Sequence, residues 1–203
     1  MILSTTKQQK PVAPACERNR DPILSVLKSA FANVKHVLEI GSGTGEHGVY
    51  FAEHMPWLEW QCSDVKENLP GIEMWVEEAN LSNLPVPIEL DVTSACINRN
   101  YDAIFTANTL HIISTTLVED FFQVLGSINN NDVALVIYGP FNYNGEFTSE
   151  SNAQFELWLK QRDPLSGIRD FEWIKQLANN AGFHLIKDHE MPANNRCLHW
   201  QRD

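Results

Sequence analysis

The sequence predicts an α/β fold in which a mostly parallel sheet is covered by helices on both faces and closed by an antiparallel hairpin. Three observations lead there. Strand-like and helix-like stretches alternate five times between Val34 and Tyr138, the order that builds a parallel sheet with helices around it. Val133 to Tyr138 is an unbroken apolar run, as expected of a strand buried on both faces. The last two strand-like stretches, Phe183 to His189 and Arg196 to Trp200, are joined through Met191-Pro192-Ala193-Asn194-Asn195, a connection short enough to require antiparallel pairing.

With 203 residues and 43% hydrophobic content, the chain is long enough for one domain with a well-buried core and too short for two generous ones. A polar, proline-punctuated arm is expected over residues 1–14, followed by a single domain over 15–203. Fifteen basic against 26 acidic residues give a net charge of −11. That charge would repel a phosphate backbone, and no basic run offsets it, so nucleic acid is not an expected partner. The four cysteines lie far apart with no C-x-x-C pair, which argues against a disulfide framework or a zinc site and for a cytoplasmic setting. The chain turns polar at Ser4 and lacks the apolar core of a signal peptide. Nothing approaches the ~18 apolar residues of a membrane span, so no membrane partner is expected. Nothing in the sequence fixes an oligomeric state.

In chain order, Ile23, Leu24, Leu27 and Phe31 stand at helical spacing, with Asp21 and Pro22 as a candidate N-cap and first helical residue. Arg18 and Asn19, just before them, either form a solvated surface or cover a ligand. Val34 to Ile40 is the first strand, and a helix from Glu46 to about Met55 follows its glycine turn. Leu58 to Cys62 is the second strand, followed by Asp64. Pro70 opens the next helix, with Ile72, Trp75, Val76 and Ala79 on one face. Ile88 to Val92 makes a short third strand and Tyr101 to Thr106 a fourth. Thr116 and Glu119 sit at capping-box spacing before a helix that Gly126 ends. After the fifth strand, Gly139 to Ser151 is a polar and aromatic loop long enough to suggest function. Helices over Asn152 to Arg162 and Asp170 to Ala181 precede the hairpin, and Gly182 stops the second.

The stretch most suggestive of chemistry is Val37-Leu38-Glu39-Ile40-Gly41-Ser42-Gly43-Thr44-Gly45. A strand that empties into alternating glycines and then a helix brings bare backbone close to a ligand at the carboxyl end of the strand. Gly43, Gly45 and Gly48 also satisfy G-x-G-x-x-G with Asp64 about 20 residues on, so a nicotinamide or flavin cofactor is the competing reading. Against it stand Glu39 inside the strand, the crowding of G-x-G-x-G directly after it, and Asp91 at the end of a third strand, where an adenine edge could use an acceptor. No metal is expected: His47 and His54 lie seven apart on a helix with no acidic partner in register.

Val37 to Gly45 resembles the first motif of the class I S-adenosylmethionine-dependent methyltransferases, with Asp64 and Asp91 where that superfamily places its ribose and adenine ligands. The likeness runs from about residue 34 to 201. It implies a Rossmann-like class I methyltransferase fold with a seven-stranded sheet and an antiparallel last strand. Five further blocks resemble the methyltransferase-like 26 family: Cys16 to Asn19, Tyr138 to Phe141, Thr148 to Asn152, Arg162 to Pro164 with Gly167 to Asp170, and Met191 to Asn195. Cys62 and Ser166 depart from that pattern, standing where proline and an aromatic residue are expected.

The resemblance implies S-adenosylmethionine as cofactor and methyl transfer to a small-molecule acceptor. Gly41, Gly43 and Gly45 are expected to leave room for the methionine part and ribose. Asp64 would accept from the ribose hydroxyls and Asp91 from the adenine amine, while Glu39 would orient the turn or the cofactor's amino group. Asn108 and His111 lie beyond the fourth strand, where an open sheet faces its crevice. His111 is either a base that removes a proton from the acceptor or a packed residue. Tyr138 at the end of the fifth strand is either a rim residue facing the acceptor or a core tyrosine. Arg18, Asn19, Asn152 and Asn194 complete the substrate candidates, the asparagines having ordinary capping roles available.

Overall fold

The computed structural model describes residues 9–94, 97, 99–128 and 130–202. Strands β1 (His36–Ile40), β2 (Glu59–Asp64), β3 (Ile88–Glu89), β4 (Ala103–Ala107) and β5 (Val133–Gly139) are parallel, while β8 (His184–Met191) and β9 (Asn195–Arg202) form the terminal hairpin. The seven-stranded sheet has the order β3-β2-β1-β4-β5-β9-β8, and β9 runs antiparallel to both its neighbours. The short strands β6 (Phe141–Asn142) and β7 (Arg169–Asp170) pair separately and in parallel. Strand order reverses between β1 and β4, so a crevice opens above their carboxyl ends.

The period-two alternation of each strand divides the core between the two faces of the sheet. On one face, α1 (Pro14–Ala30), α2 (Glu46–His54) and α3 (Leu69–Ala79) pack on Val37, Trp60, Phe105, Val136 and Tyr138. On the other, α4 (Thr115–Gly126) and α6 (Phe171–Asn180) pack on Leu38, Ile104, Leu135, Ile137 and Trp200. The remaining helix, α5 (Glu150–Arg162), buries only Asn152 and Leu159. Among the described residues no helix is long and apolar enough to cross a membrane.

Four sequence expectations change. Helix α1 begins at Pro14, and Pro22 lies inside it. Pro14 supplies the first-turn proline and the preceding Ala13 N–H donates to the Glu46 carboxylate, while Asp21 instead accepts from the Tyr50 hydroxyl. The backbone bond that Pro22 cannot donate is offset by burial of Ile23, Leu24 and Leu27. Residues 16–20 are therefore helical. Between β3 and β4 the described residues contain no helix, so the alternation is broken once. Helix α4 is capped by Ser114, whose hydroxyl accepts from Leu117 N–H at 3.2 Å, and not by Thr116. The loop after β5 carries β6, which ties it to β7. Of the expected arm, residues 1–8 lie outside the described residues. Lys10 pairs with Glu78 at 2.6 Å, and Trp75 Nε1–H donates to the carbonyl of Pro11 at 2.7 Å.

Candidate functional site

The turn after β1 is held from within. Gly41 and Ser42 both donate backbone N–H groups to the Ser63 carbonyl at 3.0 Å, and the Ser42 hydroxyl accepts from Ser63 N–H at 3.1 Å. Gly43 N–H donates to Asp64 Oδ2 at 2.7 Å, while Asp64 Oδ1 accepts from Val65 N–H and Asn68 Nδ2, both at 2.8 Å. Asp64 thus faces the turn and is buried, with one acceptor position left on Oδ2.

The three glycines of the turn all have positive φ, but they serve different purposes. A Cβ at Gly41 would lie 2.8 Å from the Thr109 hydroxyl, and one at Gly45 would lie 3.1 Å from the Ile72 backbone. Both positions let protein approach protein. Only at Gly43 would a Cβ meet nothing within 4 Å, so this is where bare backbone faces open space.

Glu39 points beneath the turn and not into the crevice. Its Oε2 accepts from Ser42 Oγ and Trp60 Nε1, each at 3.0 Å, and from Cys62 Sγ at 3.5 Å. Burial raises its pKa to about 7 against the opposing pull of these donors. The Ser42 bond ties Glu39 to the turn. Helix α2 presses so closely on this network that a Cβ at Gly48 would fall 2.2 Å from Cys62 Sγ.

Asp91 is exposed beyond β3, where Oδ1 accepts from the backbone N–H and hydroxyl of Thr93 at 2.9 and 2.8 Å. These bonds hold its pKa below the usual carboxylate value. It borders a cleft of about 570 Å³ whose described walls include Leu38, Gln61, Leu90 and Tyr101. Asn108 stands at the end of β4 with φ +57, a left-handed conformation uncommon outside glycine, and its N–H donates to the Tyr138 carbonyl at 2.9 Å.

His111 is buried beside the end of β5. Its Nδ1 lies 3.4 Å from where a Gly139 Cβ would stand, and its ring meets Phe155 edge-on with centroids 5.5 Å apart. The ring has no hydrogen-bond partner among the described residues. Burial first, and the Arg169 charge second, lower its pKa to about 4. The backbone around it is pinned: Gly167 N–H donates to the His111 carbonyl at 2.9 Å, and Arg169 donates to the carbonyls of Leu110 and Leu165, each at 3.0 Å, and to that of Ile113.

Tyr138 is brought together with Asn19, which α1 lowers over the strand ends. His47 Nε2 lies 2.8 Å from Asn19 Oδ1, and Asn19 is close enough to the Tyr138 hydroxyl to oppose the effect of its burial. His47 stacks on Phe51 at 5.3 Å, and burial lowers its pKa to about 4. Arg18, the position before Asn19 on α1, is exposed and close enough for its charge to act on Tyr138. Burial outweighs both influences and raises the Tyr138 pKa to about 12, so the hydroxyl keeps its proton.

Asn152 and Asn194, expected at the acceptor, are joined to each other instead. Asn152 Nδ2 donates to Thr148 Oγ1 at 2.9 Å and to the Asn194 carbonyl at 3.2 Å, while Asn194 Nδ2 donates to Ser151 Oγ at 3.2 Å. Their amides clasp the start of α5 to the β8–β9 turn. Ser166, standing where an aromatic residue was expected, is also buried, and its hydroxyl donates to the Ile112 carbonyl.

The sequence points to His47 only through its place in the first turn of a helix behind a glycine bend. Arg169 lies in a matched block, but two of its three carbonyl partners are 59 and 56 positions away and leave no spacing to read.

Residues 10–202 match the profile of a family described as "Protein of unknown function (DUF938)". Among solved structures, an O-methyltransferase family protein from Burkholderia thailandensis superposes with a TM-score of 0.81 at 17% identity, covering 93% of this chain and 57% of that one. The S-adenosylmethionine-dependent methyltransferase SibL gives 0.75 at 18% identity, covering 93% and 55%. The O-methyltransferase NcsB1 from neocarzinostatin biosynthesis, solved with S-adenosylmethionine and 2-hydroxy-5-methyl naphthoic acid, gives 0.74 at 13% identity, covering 93% and 55%. This chain therefore spans little more than half the length of these proteins, and what it shares with them is the Rossmann-like methyltransferase fold.

Proposed function

The chain belongs to the DUF938 family of proteins of unknown function, and within that family we propose that it binds S-adenosylmethionine and transfers its methyl group to a small-molecule acceptor. The observation that carries this reading is the open backbone at Gly43 beside the Asp64 carboxylate, at the point where strand order reverses. The sheet order supports it over a nicotinamide reading, since an antiparallel strand stands between β5 and β8 and dinucleotide folds of order 3-2-1-4-5-6 keep a parallel sheet there. The nearer resemblance to the methyltransferase-like 26 family is part of the same proposal.

The residues fit the cofactor. Gly43 leaves room for it, and the turn from Gly41 to Gly45 is held ready by Glu39 through Ser42. Asp64 Oδ2 has an acceptor position left for a ribose hydroxyl. Asp91 Oδ2 is not engaged by Thr93 and suits an adenine amine. Asn108 lines the crevice at the end of β4. When bound, S-adenosylmethionine supplies an electrophilic methyl group on a sulfonium that the acceptor displaces in line.

Orientation of two reactants can contribute about 7 to 11 kcal/mol, which makes positioning the chief task of this chain. His111 is neutral at pH 7, and its unpartnered ring suits removal of the acceptor's proton. Tyr138, Asn19 and Arg18 form the acceptor side. NcsB1, bound to a naphthoic acid, supports an acceptor of that size class.

Incubation of the protein with S-adenosylmethionine and a small-metabolite extract, followed by mass spectrometry of S-adenosylhomocysteine, tests the proposal. Time-dependent release above an enzyme-free control is expected. Binding of the cofactor without release over many extracts would make the chain a binding module and contradict transfer.

A further inference from the structure

The consecutive carbonyls from Leu110 to Ile113, which include that of His111, are all taken by one short segment. Arg169 Nε donates to Leu110 at 3.0 Å, Gly167 N–H to His111 at 2.9 Å, the Ser166 hydroxyl to Ile112 at 2.5 Å, and Arg169 also to Ile113. Segment 166–169 is the footing of the His111 loop. It is held in its turn from α5. Glu156 Oε2 accepts from Ile168 N–H at 2.6 Å, and Lys160, paired with Glu156 Oε1 at 3.2 Å, donates to the Ser166 carbonyl at 3.2 Å. At Gly167 a Cβ would stand 2.9 Å from Glu156 Oε1, so bare backbone is what admits the carboxylate. The Glu156 charge also opposes the effect of burial on the Arg169 guanidinium.

Helical spacing puts these contacts on one face of α5. Asn152, Phe155, Glu156 and Leu159 point inward together, so the Asn194 clasp, the contact with the His111 ring and the Ile168 bond share that face. Because α5 buries only Asn152 and Leu159, apolar packing does little to place it. Its polar contacts fix where it lies.

We infer that Glu156 is a positioning residue for His111: by holding segment 166–169 to α5, it fixes the backbone from which the His111 ring projects. The ring's task as a base rests on the methyl-transfer reading, whereas its coupling to α5 does not. A carboxylate suits the position because one oxygen can accept from a backbone N–H while the other faces an ammonium. A glutamine there would keep the first contact and lose the charge.

The test is nuclear magnetic resonance of the full chain carrying labelled histidine, with His111→Gln used to identify the His111 signal. At pH 7, well above the His111 pKa of about 4, the ring is neutral and its signal reports its surroundings. Glu156→Ala is expected to shift and broaden that signal and to speed exchange of the Gly167 amide at least about tenfold, the scale of one charge-assisted hydrogen bond. Glu156→Gln, which keeps an oxygen for Ile168 N–H, should bring both back most of the way. Lys160→Met should move the signal less and in the same direction. Lys160 is exposed, so this variant remains readable if Glu156→Ala fails to fold. The signal of His47, whose ring stacks on Phe51, should stay in place throughout. An unmoved His111 signal in Glu156→Ala or, if that variant does not fold, in Lys160→Met would overturn the inference. So would a shift that Glu156→Gln does not reduce, or an equal movement of His47. These measurements use neither cofactor nor acceptor, so failure of S-adenosylmethionine to bind would count against the methyl-transfer reading alone.

Discussion

The turn after β1 and the β4–β5 rim face each other across one crevice but are assembled in different ways. The turn is a nearly contiguous structure, in which Glu39, Ser42, Gly43, Ser63 and Asp64 bond one another over two adjacent strand ends. The rim draws Asn19 from α1, His47 from α2, His111 from the loop beyond β4 and Tyr138 from β5. The turn bonds itself and leaves one open place at Gly43. Among the described residues the rim leaves the His111 ring without a hydrogen bond and the Arg18 cation without an ion pair. On the proposed function, the first arrangement would hold the cofactor and the second would act on the acceptor.

If this division holds, the largest effect belongs to the rim. His111→Gln is expected to lower kcat by about 10²- to 10⁴-fold, the range for loss of a general base, while leaving cofactor affinity within about threefold. An equal loss in cofactor affinity would break the division. With a pKa near 4, the wild-type rate should be flat above about pH 6 and fall below about pH 5.

Next in size is a pH effect within the turn. Burial raises the Glu39 pKa from 4.5 to about 7. The folded state therefore holds a proton that the unfolded state has lost, and this group's contribution to stability falls as pH rises across that interval, by on the order of 3 kcal/mol. His47 and His111 have the opposite sign. Their pKa values fall from 6.5 to about 4, so stability is in place above 6.5 and is lost as pH falls toward 4. The windows overlap, and from about pH 4.5 to 6.5 the two histidines outweigh the one glutamate, so urea unfolding should show stability rising with pH there and Glu39→Gln should steepen that rise. An unchanged slope in Glu39→Gln would assign the titration elsewhere.

A packing change sharpens the contrast further. Gly48→Ala places a methyl group against Cys62 Sγ, at 2.2 Å in the unrelaxed structure, and should cost about 1 to 3 kcal/mol. Adding Cys62→Ala should recover part of that loss. Additive single effects in the thermal melts would contradict the contact. For cofactor binding, Asp64→Ala should weaken affinity at least about tenfold, and exposed Asp91→Ala about threefold, by calorimetry. A larger effect at Asp91 would move the principal anchor away from the turn.

The same contrast explains what could be read in advance. The glycine turn, the place of Asp64 beside it and the antiparallel closing hairpin were legible because a strand, a bend and a helix follow one another along the chain, and a short hairpin has one possible pairing. Within the turn, however, Gly41 and Gly45 proved to serve Thr109 and Ile72, which periodicity does not place nearby. Asp21-Pro22 looked like a helix start because capping chemistry is local. The actual start at Pro14 is tied to Glu46 on α2, and it brings Asn19 over Tyr138. The Asn19–His47 contact spans 28 positions and the Asn152–Asn194 clasp 42, so neither leaves a spacing to read.

Titration of the purified protein with S-adenosylmethionine, run beside NAD and repeated with Asp64→Ala, tests the central claim most directly. The expected result is saturable binding of one S-adenosylmethionine per chain, weakened at least about tenfold in the variant, with no comparable binding of NAD. No binding of S-adenosylmethionine, preference for NAD, or an affinity that Asp64→Ala leaves unchanged would contradict it.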